Sequence, residues 1–216
     1  MSASHEGNAM AFFRGVLAAA AAMLSSGLLL TPTANPANAP TAGLRTPAAF
    51  GEAGSNGAQI MNGPFRIRAV HSNKCLDVAG GTDADADGVN VHQWTCLGYE
   101  QSNQKWFTNA IDNSRVFIVA GHSANCLDVA GGTGAVGDGV NVHQWTCLGI
   151  AQTNQQWTLD HLGNGRFHIR AVHSGKCLDV AGGTGAVGDG VNVHQWTCLG
   201  DAQTNQQWTF ELVPGG

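Results

Sequence analysis

One block of sequence occurs three times, and this repetition constrains the fold more than any other feature of the chain. Cys75-Leu76-Asp77-Val78, then His92-Gln93-Trp94-Thr95-Cys96, then Asn103-Gln104-Lys105-Trp106 recur from Cys126 and from Cys177 at a constant offset of 51 residues. Self-similarity of this period marks each copy as one supersecondary unit that cannot bury a core alone. Three copies must therefore close about a shared axis, and any chemistry carried by one is available three times. A catalytic centre needs groups held in unlike environments with pKa values pushed apart. Near-identical copies lack that difference and point to multivalent binding: His122–Thr158 and His173–Thr209 differ only at Ala124/Gly175, Asn125/Lys176 and Ile150/Asp201.

The coarse pattern is strand throughout. Phe65-Arg66-Ile67-Arg68-Ala69-Val70 alternates apolar and polar side chains, as do its counterparts from Val116 and Phe167. Leu76–Val78, Val89–Thr95 and Gln104–Phe107 are the further strands expected in the first repeat, separated by Gly, Asp and Asn turns. The expectation is an all-β body of twelve strands, with repeats at about 63–113, 114–164 and 165–214 and no helical period. Charged residues make up 12% of the chain and the net charge is −5 without a Lys/Arg cluster, which argues against a nucleic-acid surface.

Before the repeats, Arg14 precedes an apolar stretch from Gly15 to Leu30, followed by small residues including Ala37-Asn38-Ala39. Residues 1–39 read as a signal peptide cleaved near Ala39, or near Ala42 because Pro40 disfavours the first position; Met10 is an alternative start. The apolar run is short for a spanning helix of ~20 residues, so no membrane insertion is expected. Residues 40–62, rich in Ala, Gly, Pro and Ser, read as a flexible linker. Cysteine usage agrees with export. All six cysteines lie in the repeats as pairs 21 residues apart, and of fifteen pairings the repeat symmetry favours Cys75–Cys96, Cys126–Cys147 and Cys177–Cys198. Each bridge would contribute about 3 kcal/mol in the chain-entropy model. Free buried thiols are the alternative; zinc is disfavoured, because no closely spaced Cys/His cluster is present.

Strand parity assigns the faces. Val89, Val91 and Gln93 share one side and Asn90, His92, Trp94 and Cys96 the other, so with the valines inward Trp94 faces outward. An exposed indole beside Asp77 makes a shallow pocket with an aromatic floor and a polar wall, suited to the C–H face and hydroxyl rim of a pyranose. A bulge would instead turn Trp94 into the core. Trp106, Trp157 and Trp208, each in a Gln-x-Trp context, are expected in the core.

These motifs, Cys75-Leu76-Asp77, His92-Gln93-Trp94-Thr95-Cys96 and Asn103-Gln104-x-Trp106 in triplicate, resemble the ricin-B-type lectins and the related carbohydrate-binding modules of secreted glycosidases. The resemblance covers residues 63–216 and implies a β-trefoil: three pseudo-symmetric four-stranded repeats forming a six-stranded barrel capped by a hairpin triplet. It implies that the aspartates Asp77, Asp128 and Asp179 bind sugar hydroxyls and that Trp94, Trp145 and Trp196 stack on the ring. Asn103, Asn154 and Asn205 donate to a hydroxyl, while Gln104, Gln155 and Gln206 support the aspartate or touch the sugar. Where the family commonly has Gln, this chain has His92, His143 and His194, which would donate to the sugar or to the aspartate; a solvated surface histidine is the alternative.

The expectation is a secreted, monomeric, non-catalytic lectin with three competent sites for polysaccharide or glycoconjugate glycans, of galactose or xylan type, and no cofactor or metal. The Asp83–Gly88 run imitates the start of a calcium loop, but Trp94 stands where its bidentate Glu belongs. His71, His122 and His173 are expected to make strand-end hydrogen bonds rather than a metal ring. A trefoil that binds a protein partner is the alternative function, and a glycosidase a more remote one, since it would need a second carboxylate beside Asp77.

Overall fold

The computed structural model describes residues 62–214. The expected signal peptide and, apart from Asn62, the expected linker lie outside the described residues. Twelve strands follow in order: β1 Phe65–Ala69, β2 Cys75–Val78, β3 Val91–Trp94, β4 Trp106–Ala110, β5 Arg115–Ala120, β6 Cys126–Val129, β7 Val142–Trp145, β8 Gln156–Gly163, β9 Arg166–Ala171, β10 Cys177–Val180, β11 Val191–Trp196 and β12 Trp208–Leu212. The pairings β1–β4, β4–β5, β5–β8, β8–β9, β9–β12 and β12–β1 close six strands into a barrel. The other six form the hairpins β2–β3, β6–β7 and β10–β11. The result is an all-β fold, a β-trefoil.

The apolar positions of the barrel strands face the core, as the sequence predicts, although Arg66, Gln156 and His168 are buried beside them. Ile67 and Ala69, Ile118 and Ala120, and Ile169 and Ala171 point inward, joined by Leu76, Val78 and Val91 of the first hairpin and their counterparts. Trp106, Trp157 and Trp208 are fully buried. Their indole N–H groups donate to the Leu76, Leu127 and Leu178 carbonyls at 2.9, 3.0 and 3.0 Å, so the polar atom of each core tryptophan is satisfied. The symmetry lapses at the barrel rim, where Phe210 packs edge-on against both Phe65 and Phe167, at 5.8 and 5.5 Å between ring centres.

Two expectations about local structure need correction. The segment containing Asn103 and Gln104 is a 3-10 turn, Ser102–Gln104, rather than the start of the last strand, and Thr153–Gln155 and Thr204–Gln206 repeat it. The third strand begins at Val91 and Val142 in the first two repeats, later than Val89 and its counterpart Val140. Both valines still pack against the core. The three disulfides pair as the repeat symmetry predicts, with Cα–Cα separations of 5.1, 5.1 and 5.0 Å.

The hairpins form the cap by leaning on one another. Asn192 of β11 pairs with His92 of β3, and isolated bridges join Asn90 to His143 and Asn141 to His194. The Asn90, Asn141 and Asn192 carboxamides complete a ring: Asn90 donates to Asn192, Asn192 to Asn141 and Asn141 to Asn90, at 2.9, 2.9 and 3.0 Å. The histidines at the ends of β1, β5 and β9 also reach between repeats. His71, His122 and His173 donate from Nε2 to the Ala186, Ala84 and Ala135 carbonyls.

Burial holds the imidazoles of His71, His173 and His168 below their ordinary pKa, partly offset at His71 by its bond to the Ala186 carbonyl and at His173 by its bond to the Ala135 carbonyl. The folded state therefore takes up protons less readily than the unfolded chain, so this contribution is present above the ordinary value of 6.5 and is lost as pH falls below it. We predict a falling thermal midpoint between about pH 7 and pH 5.5, with a shallower slope in His71→Gln, whose amide can donate to Ala186 without titrating.

One turn is strained in only one copy. Between the first two strands of each repeat stand Asn73, Ala124 and Gly175, at φ 58°, 60° and 67°. An alanine pays for the left-handed conformation, whereas Asn and Gly tolerate it. At Gly175 an added Cβ would meet nothing within 4 Å, so at the equivalent turn the methyl of Ala124 is not needed for packing. Ala124→Asn and Ala124→Gly should each raise stability in urea by about 0.5–1 kcal/mol.

Candidate functional site

The β2–β3 hairpin places three functional side chains, Asp77, His92 and Trp94, through register alone. Cys75 pairs with Trp94 and Asp77 with His92, so the acid and the aromatic emerge two positions apart on one face. The opposite parity drives Val91 and Gln93 fully inward. The Cys75–Cys96 bridge then closes the hairpin mouth beside Trp94. The indole remains 38% exposed in all three repeats. It lies nearly parallel to the His92 imidazole, 5.3 Å between centres at 24°, and His143–Trp145 and His194–Trp196 repeat this at 5.4 and 5.3 Å.

Asp77 is only 4% exposed, and its carboxylate is already engaged. His92 Nε2 donates to Oδ1 at 2.9 Å, while Asn103 Nδ2 and Gln104 Nε2 donate to Oδ2 at 3.0 and 2.7 Å. The histidine therefore contacts the aspartate in every copy, with His143–Asp128 and His194–Asp179 at 2.9 and 2.8 Å. A carboxylate has about four acceptor positions, so the three donors on Asp77 leave room for one more bond, whereas Asp128 and Asp179, bonded by His and Asn without the Gln, keep room for two.

Asn103 also differs from expectation. One N–H goes to Asp77 and the other to the Val78 carbonyl at 3.1 Å, leaving no amide hydrogen to donate. Its Oδ1 is buried without a partner, as are Asn154 Oδ1 and Asn205 Oδ1. The asparagine thus offers an acceptor, where a donor was expected. Gln104 is fully buried beneath the site rather than in its wall, and in addition to Asp77 it holds the Thr95 carbonyl and the Leu97 N–H. Gln155 and Gln206 bond the equivalent backbone groups of Thr146 and Leu148, and of Thr197 and Leu199.

The depression so built is bounded by Asp77, His92, Trp94 and Asn103 together with Gly80, Gly81, Leu97 and Gln101, and the third repeat has the same boundary from Asp179 to Asn205. Gly81, Leu97 and Gln101 had not been singled out, although their recurrence at Gly132/Gly183, Leu148/Leu199 and Gln152/Gln203 was visible. Gly81 has φ +85°, and a Cβ there would point into open space, so the glycine keeps its part of the boundary low. Chemically the site is an apolar face flanked by acceptors, which a ligand would meet with hydroxyl donors. Among the described residues, no group of three or more His, Cys, Asp or Glu side chains could hold a metal. No helix among them is long and apolar enough to cross a membrane.

Residues 63–208 match the family model described as ricin-type beta-trefoil lectin domain. Among solved structures, the designed three-fold symmetric protein ThreeFoil is 37% identical with a TM-score of 0.62, over 69% of this chain and 98% of its own. An exo-β-1,3-galactanase from Clostridium thermocellum is 27% identical with a TM-score of 0.61, over 70% of this chain but 30% of its own length. The Macrolepiota procera ricin B-like lectin, solved with lactose, shares the fold at 17% identity and a TM-score of 0.55, over 74% of this chain and all of its own. No curated protein matches. With its threefold hairpins, its core Gln-x-Trp tryptophans and a family match across the described domain, the chain belongs to the ricin-type β-trefoil lectin family.

Proposed function

We propose that this protein is a secreted, non-catalytic lectin that binds glycans through three equivalent shallow sites. The observation that carries the reading is the threefold reproduction of one arrangement, a half-exposed indole beside an acceptor pair of Asp and Asn, at Asp77/Trp94/Asn103, Asp128/Trp145/Asn154 and Asp179/Trp196/Asn205. The indole stacks on the C–H face of the sugar. The acceptor capacity left on each carboxylate takes a hydroxyl donor, with the buried, unpartnered Asn Oδ1 behind it and Gln101 at the rim of the first site. His92 and Gln104 act through Asp77 by orienting its carboxylate.

Two observations support the rest. Three disulfides suit an extracellular protein and accord with residues 1–39 acting as a signal peptide and 40–62 as a linker to the lectin domain. Asp138 and Asp189 do not resemble general acids, which need a raised pKa: Lys176 beside Asp138 and Lys74 beside Asp189, with bonds from Thr197 and Thr95, hold them below the usual carboxylate range. One stacked ring and two or three hydrogen bonds give a single-site affinity on the order of 0.1–1 mM. Three sites on a monomer engaging one polysaccharide raise the apparent affinity about a hundredfold. Galactose-containing glycans and xylan are the two ligand classes the family relationship supports.

Binding of the described domain to an immobilised panel of galactosides, glycoprotein glycans and plant polysaccharides tests this. Retention on galactosides or xylan is expected, and each single change among Trp94→Ala, Trp145→Ala and Trp196→Ala should lower retention. The triple variant should abolish it while keeping the native circular dichroism, because these indoles are not core. Retention unaffected by the triple change would exclude the sites; no retention on any glycan would favour the protein-partner reading.

A further inference from the structure

The Gly-rich segment between the two strands of each hairpin, after β2, β6 and β10, does not serve its own repeat. Asp189, in the third repeat, accepts from the Thr95 backbone N–H at 2.7 Å and from its hydroxyl at 3.0 and 2.9 Å. Lys74 pairs with the same carboxylate at 2.7 Å. Gln93 donates both amide hydrogens to the Ala186 and Gly188 carbonyls at 2.8 Å, and its own carbonyl accepts from Gly190 N at 2.9 Å. Gln93 and Thr95 are the residues on either side of Trp94. A Cβ placed on Gly190 would lie 3.6 Å from the Trp94 ring, so the loop also runs against the indole itself.

The contact passes round the molecule in one direction. Asp87 of the first repeat holds Thr146, next to Trp145 of the second, and Asp138 of the second holds Thr197, next to Trp196 of the third. Gly88 and Gly139 approach those indoles at the same 3.6 Å. The middle joint alone lacks a cation: Asn125 stands where Lys74 and Lys176 stand, and it bonds the Asp85 carbonyl at 2.9 Å instead.

We propose that each site is completed in trans, with Asp189, Asp87 and Asp138 as positioning residues for the stacking tryptophans of the first, second and third sites respectively. None of the three aspartates is required to touch the ligand. Each fixes the backbone on the far side of its tryptophan, opposite the disulfide-linked strand, and so sets the plane of the indole relative to Asp77, Asp128 or Asp179. This inference rests on the sugar-binding reading, so its test carries a readout that needs no sugar.

Two single-site proteins are compared: Trp145→Ala/Trp196→Ala, which keeps the first site, and Trp94→Ala/Trp196→Ala, which keeps the second. Affinity is measured by titration with lactose and with xylotriose, and the indole N–H resonance of the remaining surface tryptophan is recorded by 1H–15N NMR without ligand. Asp189→Ala should weaken the first-site protein about three- to tenfold, as expected for loss of charge-assisted bonds, and shift the Trp94 indole resonance. Asp87→Ala should do the same to the second-site protein and to Trp145. Asp189→Asn, which still offers an oxygen to the Thr95 N–H, should restore most of the first-site signal. The proposal is overturned if each aspartate acts on the site of its own repeat, or if both act equally on both sites. If the single-site proteins bind neither sugar, the sugar reading fails, while the crossed indole shifts still decide whether the positioning is in trans.

Discussion

The molecule depends on a buried carboxamide used once per repeat. Gln93, Gln144 and Gln195 have no solvent exposure, and an unpaired amide in such a place costs several kcal/mol. None is unpaired. Both hydrogens of Gln93 go to carbonyls in the third repeat, and its oxygen accepts from Ser72 at 2.7 Å; Gln144 and Gln195 repeat the pattern against the first and second repeats. A side chain whose amide hydrogens are satisfied only by its neighbour's backbone makes separation of two repeats costly in a way that apolar contact alone does not. It also ties loop, hairpin and barrel into one unit.

The site inherits its character from that arrangement. Strand alternation sends Gln93 inward and Trp94 outward, so the residue that locks the cap and the residue that faces the solvent are adjacent, and neither can move alone. On the solvent side, donors from His92, Asn103 and Gln104 converge on Asp77 and use up most of its acceptor capacity. What is left facing outward is sparse: an indole face and the little of the carboxylate that its donors leave, with the unpartnered Asn103 Oδ1 buried behind them. Sparse recognition suits a protein that repeats the same small site rather than building one deep one.

Much of this was legible in the sequence. Period-two alternation placed Trp94 outside and the valines inside, and repeat symmetry chose the three disulfides from fifteen pairings. The 3-10 turn at Ser102–Gln104 was not legible, because Asn-Gln-x-Trp has strand-like neighbours and the turn goes with the reach of Asn103 back to Asp77, which Asn154 and Asn205 repeat. The direction of Asn103 was hidden for the same reason: its hydrogens are committed to partners that only folding brings near. The trans contacts were concealed by the repetition itself. Asp87 has a threonine two residues after a histidine-glutamine pair available in its own repeat and in the next, with identical surroundings, and no local pattern distinguishes Thr95 from Thr146.

The asparagine ring on the cap has a handedness with a further meaning. Its donors run from the first repeat to the third, the third to the second and the second to the first, and the glutamine donors run in the same sense. Each repeat therefore presents unlike faces to its two neighbours, which is the heterologous type of interface, and with a rotation of one third of a turn it closes instead of propagating as a fibre. One chain thus carries within itself the logic of a cyclic trimer: every repeat holds both halves of the joint, and the covalent backbone replaces what would otherwise be a concentration-dependent assembly of three identical subunits.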